Sequence, residues 1–389
     1  MAAKRRGRGE GTIHQRKDGL WVAQISLGYD AEGKRIRETV YGKTKAEVKE
    51  KLLKLQQDAL KGQPVKPEKV TVAQHFEDWL RAKKPSVRAA TYASYEGLYN
   101  NHVKPAFGHL RLKDLDYRRI NALFESLDEK DLSARTVAYV GYLLRTVLED
   151  AVRKGLIPAN PAKLAVRRTY KTDEARYLNQ EELKRFLNAA KGERLEDAFI
   201  LALHTGLRPG EWLGLPWDAI DWKSSKLTVK QALKEVNGEV SIGEVKTKAG
   251  MRTISLSKEA LAALRRRRKR QIEEKLACGP SWHNEHNLVF TNLQGGLLRR
   301  TNVSERDFKR VCDRAGIEGA SLHTLRHTHA SILIYQGADI KVISRRLGHE
   351  NITITLQTYG HLLPGQDEGA ADRMDAFIES LSRMATVRQ

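Results

Sequence analysis

His323 and Arg326 stand three residues apart at the head of the stretch HTLRHTHASILIYQGADIKVISRRLGHENITITLQTY, which runs from His323 to Tyr359. A helix with Ser321 as N-cap and a stop at Gly337 puts both in its first turn, where unpaired N–H groups already favour an anion. Leu322, Leu325, His329, Ile332 and Leu333 then share one face, while His323, Arg326, His327 and Ala330 share another. His329, on the apolar face, reads as a hydrogen-bonded core residue. An imidazole and a guanidinium side by side suit a phosphate. Tyr359, ten residues beyond the Leu347–His349 tripeptide LGH, is the candidate group to react with it. A phenol with a pKa near 10 attacks phosphorus poorly unless cations neutralise the phosphate and a base is close.

Two further stretches supply cations. In HTGLRPGEWLGLPWDAI, Arg208 lies between Gly206 and Pro209-Gly210, where a helix must break, and Glu211 is near enough to orient it. Arg208 and Arg326 together offer two forked guanidinium groups, enough to neutralise a phosphodiester. Either one alone reads equally well as a surface salt bridge. Lys246, in EVKTKAGMRTISLS, sits at the end of a strand before a turn, from which a lysine can reach into a groove and protonate a leaving oxygen. Lys230, Lys234 and Lys248 lie nearby, so Lys246 alone says little. His323 and His327, four apart, would suit zinc. However, Thr324 stands where that motif needs a Glu base, and Arg326 sets a cation between the ligands. No carboxylate cluster for two-metal chemistry occurs either. No metal site and no cofactor are expected.

The elements that must position these residues follow from periodicity. GTIHQRK, GLWVAQISLG and GKRIRETVYG are short β runs separated by Asp18-Gly19 and YDAEG. A capping box at Thr44–Glu47 then opens a helix with Val48, Leu52, Leu55 and Ala59 on one face. GQPVKPEK is a linker. Four helices follow, with faces Val72/Phe76/Trp79/Leu80, Tyr92/Tyr95/Tyr99, Ile120/Leu123/Phe124/Leu127 and Val137/Val140/Leu144/Val147/Ala151. Their aromatics read as core rather than base-stacking groups, leaving Lys83, Lys84, Arg88, Lys104, Arg111 and Lys113 to face a polyanion. After AVRRTYKTDEARY, NQEELKRFLNAA opens a larger α-rich block in which KLTVKQAL, EVSIGEVKT and MRTISLS alternate as three strands. The run Arg265–Arg270, RRRRKR, falls mid-helix, so at least half of it reads as a solvated face. In the tail, Met374, Phe377, Ile378 and Leu381 share a face that either docks on a neighbouring copy or closes its own domain.

The expected fold is therefore multidomain and mainly α with small β-sheets. Residues 1–62 form a basic arm and a three-stranded sheet plus helix, residues 70–165 an all-α domain, and residues 176–389 an α-rich domain with a small antiparallel sheet. The whole chain has 389 residues and 69 Lys plus Arg against 48 Asp plus Glu, a formal +21. That surplus exceeds what solubility needs and points to nucleic acid, with an anionic membrane surface as the rival. No apolar run long enough to span a bilayer and no signal peptide is seen. Cys278 and Cys312 lack disulfide or zinc spacing, which fits a reducing cytoplasm.

Arg208, Lys246, His323, Arg326, His349 and Tyr359, in this order, resemble the tyrosine recombinase (phage integrase) family. The stretches that carry the likeness are TGLRPGEWLGL, KTKAGMRTI, HTLRHTHAS, LGH and TYGHL. The helical block at 70–165 resembles that family's core-binding domain, and the first 60 residues resemble the arm-binding domain of its larger integrases. Their three-part layout is that of a temperate phage or integrative element. The resemblance implies a metal-free transesterification in which Tyr359 forms a 3′-phosphotyrosyl link and frees a 5′-hydroxyl. Arg208 and Arg326 would hold the phosphate oxygens, with His323 as general base, Lys246 as general acid, His349 as a further donor and Glu211 as support for Arg208. It also implies double-stranded attachment-site DNA as partner, a homotetramer on that DNA, accessory DNA-bending or directionality proteins and a prokaryotic cytoplasm. A non-enzymatic DNA-binding regulator on the same scaffold, or a type IB topoisomerase-like activity, are the alternatives.

Overall fold

A computed structural model describes residues 11–29, 35–60, 69–170, 174–245, 248–362 and 374–379. The arm at 1–10, most of the linker at 62–69, Leu381 and Lys246 lie outside the described residues. The chain divides into two compact units, Met1–Lys171 and Thr172–Gln389.

The first unit holds two separate hydrophobic cores. Strands β1 (Thr12–Gln15), β2 (Trp21–Tyr29) and β3 (Arg35–Gly42) form an antiparallel sheet in sequence order, with a bulge between Ser26 and Gly28. Helix α1 (Lys45–Leu60) closes it by packing Val48 and Leu52 against Ala23 and Ile25. At its start the Thr44 hydroxyl accepts from the Glu47 N–H, but the Glu47 carboxylate reaches back to Lys43 N–H rather than to Thr44. The other core is helical. It is built from α2 (Val72–Lys83), α3 (Ala89–Leu98), the short α4 (Lys104–Phe107), α5 (Tyr117–Glu129) and α6 (Ala134–Arg153). Thr71 and Gln74 close α2 with a full capping box. Tyr99 falls in a π-helical turn after α3 and stacks on Phe76 at 5.0 Å. Of the aromatic residues of the helix faces, Phe76, Trp79, Tyr99 and Phe124 are core and Tyr92 and Tyr95 are partly buried against it, whereas Tyr139 and Tyr142 are exposed on α6. Of the six basic residues expected to face outward, Lys104 and Arg111 are paired with Glu77 and Asp114.

The second unit opens with α7 (Gln180–Ala190), capped by an Asn179/Glu182 box, followed by α8 (Glu196–Thr205) and the one-turn α9 (Pro209–Leu213). Its β region departs from the three strands expected. KLTVKQAL breaks at Lys230 into β5 (Lys226–Val229) and β6 (Gln231–Val236). β5 lies between β4 (Ile220–Asp221) and β8 (Arg252–Ser255), while β6 pairs with β7 (Glu239–Glu244) in a separate two-stranded sheet. Leu227, Val229 and Ile254 are core and so is Leu233, so both halves bury apolar residues, but in different sheets. Helix α10 (Lys258–Cys278) carries the basic run. Arg267 is 2% exposed, donating to Val289 O and pairing with Glu274, and Arg266 and Arg270 reach Asp197. Arg265, Arg268 and Lys269 are the exposed remainder.

Then come α11 (Arg300–Asn302), α12 (Lys309–Ala315), α13 (Leu322–Tyr335), α14 (Ile340–Leu347) and α15 (Ile352–Tyr359). Helix α13 begins after Ser321 and ends before Gly337 at φ 73°, as the capping signals require. It is enclosed more completely than a two-faced pattern implies, because Arg326, Thr328 and Ala330 are buried too, while Ile332 is 40% exposed. The C-terminal residues Met374, Phe377 and Ile378 are exposed. No helix among the described residues is long and apolar enough to cross a membrane.

Two left-handed glycines fix how these helices end. Gly206 stops α8 at φ 66° and Gly348 stops α14 at φ 68°. At α14 the His349 N–H bonds Ser344 O and the Gly348 N–H bonds Arg345 O, a Schellman closure. A Cβ on Gly206 would lie 2.6 Å from His329 Cδ2, whereas one on Gly192, also at positive φ (78°), would meet nothing within 4 Å. Gly206→Ala should therefore lower the stability of this unit by more than the roughly 1–2 kcal/mol of left-handed strain expected for Gly192→Ala. Denaturant unfolding of the two variants side by side checks the difference.

Candidate active site

The site is assembled from helix ends and one buried carboxylate. Arg326, on the first turns of α13, is 4% exposed, and its two Nη atoms donate to Gly206 O at 2.7 Å and Leu347 O at 2.8 Å. Both acceptors are orphan carbonyls at left-handed helix ends, which gather partial negative charge and so suit a cation. Arg208 donates to the next carbonyl along, Gly348 O, at 3.0 Å, and through Nη1 to Glu211 Oε1 at 2.9 Å. Consecutive carbonyls of one helix end thus anchor both guanidinium groups. Arg208 is N-cap to α9, and the Glu211 carboxylate also accepts from the Arg208 backbone N–H at 2.9 Å.

Glu211 is shared. Arg252 on β8 makes a forked pair with it, at 3.1 and 2.9 Å, and also donates to Gly250 O and Arg346 O. Burial pushes the Glu211 carboxyl up, but Arg252 and Arg208 outweigh it and hold it below the usual carboxylate range. Arg346 continues the chain of contacts to His329 Nε2 and His204 O, and His329 Nδ1 faces Leu203 O at 2.7 Å. Sequence reasoning passed over Arg252 although it stands inside the KTKAGMR stretch. Its signal was a cation at a strand start in a motif where the lysine drew attention.

The remaining residues divide between two places. Tyr359 is 1% exposed at the end of α15, its ring among Ala330, Ile334, Ile343 and Leu347. Its hydroxyl lies 2.7 Å from His327 Nδ1. His323 lines a cleft of about 370 Å³ with Arg208, Glu211, Leu233, Glu235 and Arg300. His349 Nδ1 faces the Thr355 hydroxyl at 2.7 Å. Lys246 lies outside the described residues, between Val245, which also lines that cleft, and the turn at Lys248–Gly250. The structure therefore brings Arg208, Glu211, Arg326, His323, His349 and Tyr359 into one unit and adds His327, Arg252 and Arg300 to them. His327 could have been found from its place on the His323/Arg326 face. Arg300 carried no signal beyond its charge.

Electrostatics follow from crowding cations out of water. Burial, then the Arg208 charge, lowers Arg326 to about 9. Burial and neighbouring positive charges push His327 and His349 down to about 4, and His323 below its ordinary value. The imidazoles are neutral at physiological pH, leaving the arginines as the charges that await an anion. Burial raises the Tyr359 phenol to about 12 while Arg326 and Arg208 pull it back.

Comparison with known proteins agrees with this chemistry. A family model described as the phage integrase family matches residues 176–365, and one for the phage integrase N-terminal SAM-like domain matches residues 71–127. A protein named tyrosine recombinase XerC-like from Caldanaerobacter subterraneus subsp. tengcongensis is 32% identical, covering 91% of this chain and 95% of its own. The ICEBs1 integrase of Bacillus subtilis is 26% identical over 94% of this chain and all of its own length (100%). In fold, the chain is similar to the Tn1549 transposon integrase in complex with circular intermediate DNA, with a TM-score of 0.66, 21% identity and coverage of 78% of this chain and 99% of that one. It is also similar to a lambda integrase tetramer bound to a Holliday junction, with a TM-score of 0.57, 17% identity and coverage of 91% and 96%. This chain belongs to the phage integrase family and is a tyrosine-type site-specific DNA recombinase.

Proposed function

We propose that this recombinase integrates and excises a mobile element, cutting each strand through a 3′-phosphotyrosyl bond to Tyr359. The observation that carries the assignment of residues is the pair of guanidinium groups on consecutive carbonyls, Leu347 O and Gly348 O, with Tyr359 on the next helix. Arg326 spends two N–H groups on carbonyls and Arg208 two on Glu211 and Gly348, so each fork keeps further donors for the non-bridging oxygens. As the phenolic oxygen attacks, charge builds on those oxygens in the pentacoordinate state, and preset donors stabilise it without rearranging. His323 and His349 border the same oxygens, and Lys246, two residues past β7 in the sequence, protonates the 5′ oxygen as it leaves. Glu211 holds Arg208 in aim. The bond energy stays in the protein–DNA link, so a 5′-hydroxyl on a partner strand reverses the step without a nucleotide cofactor.

The rest of the chain selects DNA in this proposal. The sheet at 1–62 and the helices at 70–165 act as separate DNA-binding domains ahead of a catalytic domain at 176–389. The working species is a homotetramer pairing two attachment sites in a bacterial cytoplasm, with accessory DNA-bending or directionality proteins. Support comes from the complexes of the related folds, one a transposon integrase with circular intermediate DNA and one a tetramer on a Holliday junction.

A nicked duplex carrying the attachment site in the DNA flanking its own gene should trap a covalent adduct with the wild type. Tyr359→Phe should bind that duplex unchanged and give no adduct on a denaturing gel. An adduct from the variant would refute the nucleophile. Glu211→Gln should keep the shape but lose the charge that offsets Arg208 and Arg252, lowering the cleavage rate about tenfold or more. Single-turnover cleavage measures it. Stability should also fall in acid. His327 and His349 are depressed to about 4 in the fold. Unfolded histidine protonates near 6.5. Their contribution is therefore complete above roughly pH 6.5 and is lost as pH falls toward about 4. Thermal melts across that window check the slope.

A further inference from the structure

Tyr359 and the histidines of α13 are arranged differently from the roles that the family resemblance implies. Among the described residues the phenol has one hydrogen-bond partner, His327 Nδ1 at 2.7 Å, with ring centroids 5.7 Å apart and planes inclined at 56°. His323, one turn earlier on the same helix, instead lines the cleft beside Arg208 and Arg300. The two imidazoles thus share one helical face but meet different groups. The one that touches the attacking atom is His327.

Building on the phosphotyrosyl reading above, we propose that His327 is the proton acceptor for Tyr359, and that His323 serves the phosphate instead. In cleavage the phenolic O–H bond breaks, its electron pair forms the new O–P bond, and its proton passes to His327 Nδ1. The P–O5′ bond breaks, and the 5′ oxygen leaves with a proton from the general acid, assigned here to Lys246. Religation runs both transfers backward, so His327 returns the proton to Tyr359 and every group regains its starting state.

The surroundings suit such a role. His327 faces His323 and Arg326 on its own helix, Tyr359 on α15 and His349 in the turn between α14 and α15. In the DNA-free protein, burial with His323 and Arg326 keeps the His327 imidazole neutral, with its pKa down to about 4, so it is available as an acceptor. An arriving phosphodiester offsets the Arg326 charge and strengthens it as a base at the moment attack begins. The Tyr359 ring is fixed by apolar neighbours on α13 and α14, so the contact needs no long excursion of the nucleophile.

The test compares His327→Asn with His323→Asn in single-turnover cleavage of the nicked duplex, with an ordinary linkage and with sulfur replacing the 5′-bridging oxygen. Asparagine places a carbonyl or amide near the position of Nδ1 but cannot carry the proton. The sulfur leaving group needs no acid, while the attacking phenol still needs a base. His327→Asn should cleave at least about 100-fold slower on both substrates, with site binding unchanged. Cleavage within about threefold of wild type, or rescue by sulfur, overturns the proposal, and so does an unrescued loss confined to His323→Asn. If His327→Asn binds the site poorly, His327→Gln and the wild-type pH profile on the sulfur substrate decide. That rate should fall in acid through one ionisation, and a flat profile overturns the proposal. A wild type that forms no adduct refutes the phosphotyrosyl reading instead, which separates the two failures.

Discussion

A guanidinium group removed from water is tolerable only where fixed acceptors replace the solvent. In this chain those acceptors are carbonyls exposed by two helices that stop at left-handed glycines. Gly206 and Leu347 take the two ends of Arg326, and Gly348 takes Arg208. The glycines are required by their backbone: each needs positive φ, and a Cβ on either would collide with His329 or Arg252. Everything chemical in the second unit hangs on those two stops.

A single carboxylate balances the cluster. Glu211 lies between Arg208 and Arg252, and Arg252 ties β8 to the carbonyl of Arg346 near the end of α14. The pocket therefore holds an excess of positive charge while keeping its histidines neutral. That imbalance costs stability in the free protein, and on the proposed mechanism a phosphodiester relieves it, so the energetic gain on binding falls where the strand is cut. On the proposed mechanism, the surplus of +21 over the chain brings DNA near, while Arg208 and Arg326 discriminate the reacting phosphate.

Much of this was legible in the sequence because it is local. The start of α13 after Ser321, the stop at Gly337 and the apolar faces of α2, α5 and α6 depend on residues three or four apart, and they appear as read, while the box at Thr44–Glu47 forms only in part. What failed depends on neighbours distant in the chain. The break at Lys230 splits an alternating run that has no turn signal, because β5 and β6 find different partners. Ile332 has the right period for a buried face yet stands exposed, while Arg326, on the other face, is buried. The partner of Tyr359 was hidden for the same reason: His323 and His327 lie on one helical face, and only the placement of α15 shows which of them meets the phenol. The basic run on α10 divides by burial, with Arg267 taken into the core by Glu274 and its flanking residues left outside.

The Leu347–Gly348 carbonyls have a mechanical consequence. The guanidinium groups of Arg326 and Arg208 are both tethered to the end of α14, and α15 with Tyr359 begins a few residues later. The anchoring carbonyls and Tyr359 are thus joined through one short turn of backbone, Gly348 to Asn351. The position of the Tyr359 hydroxyl relative to the two guanidinium groups is therefore set by that turn and by the roughly two turns of α15, at whose end it stands.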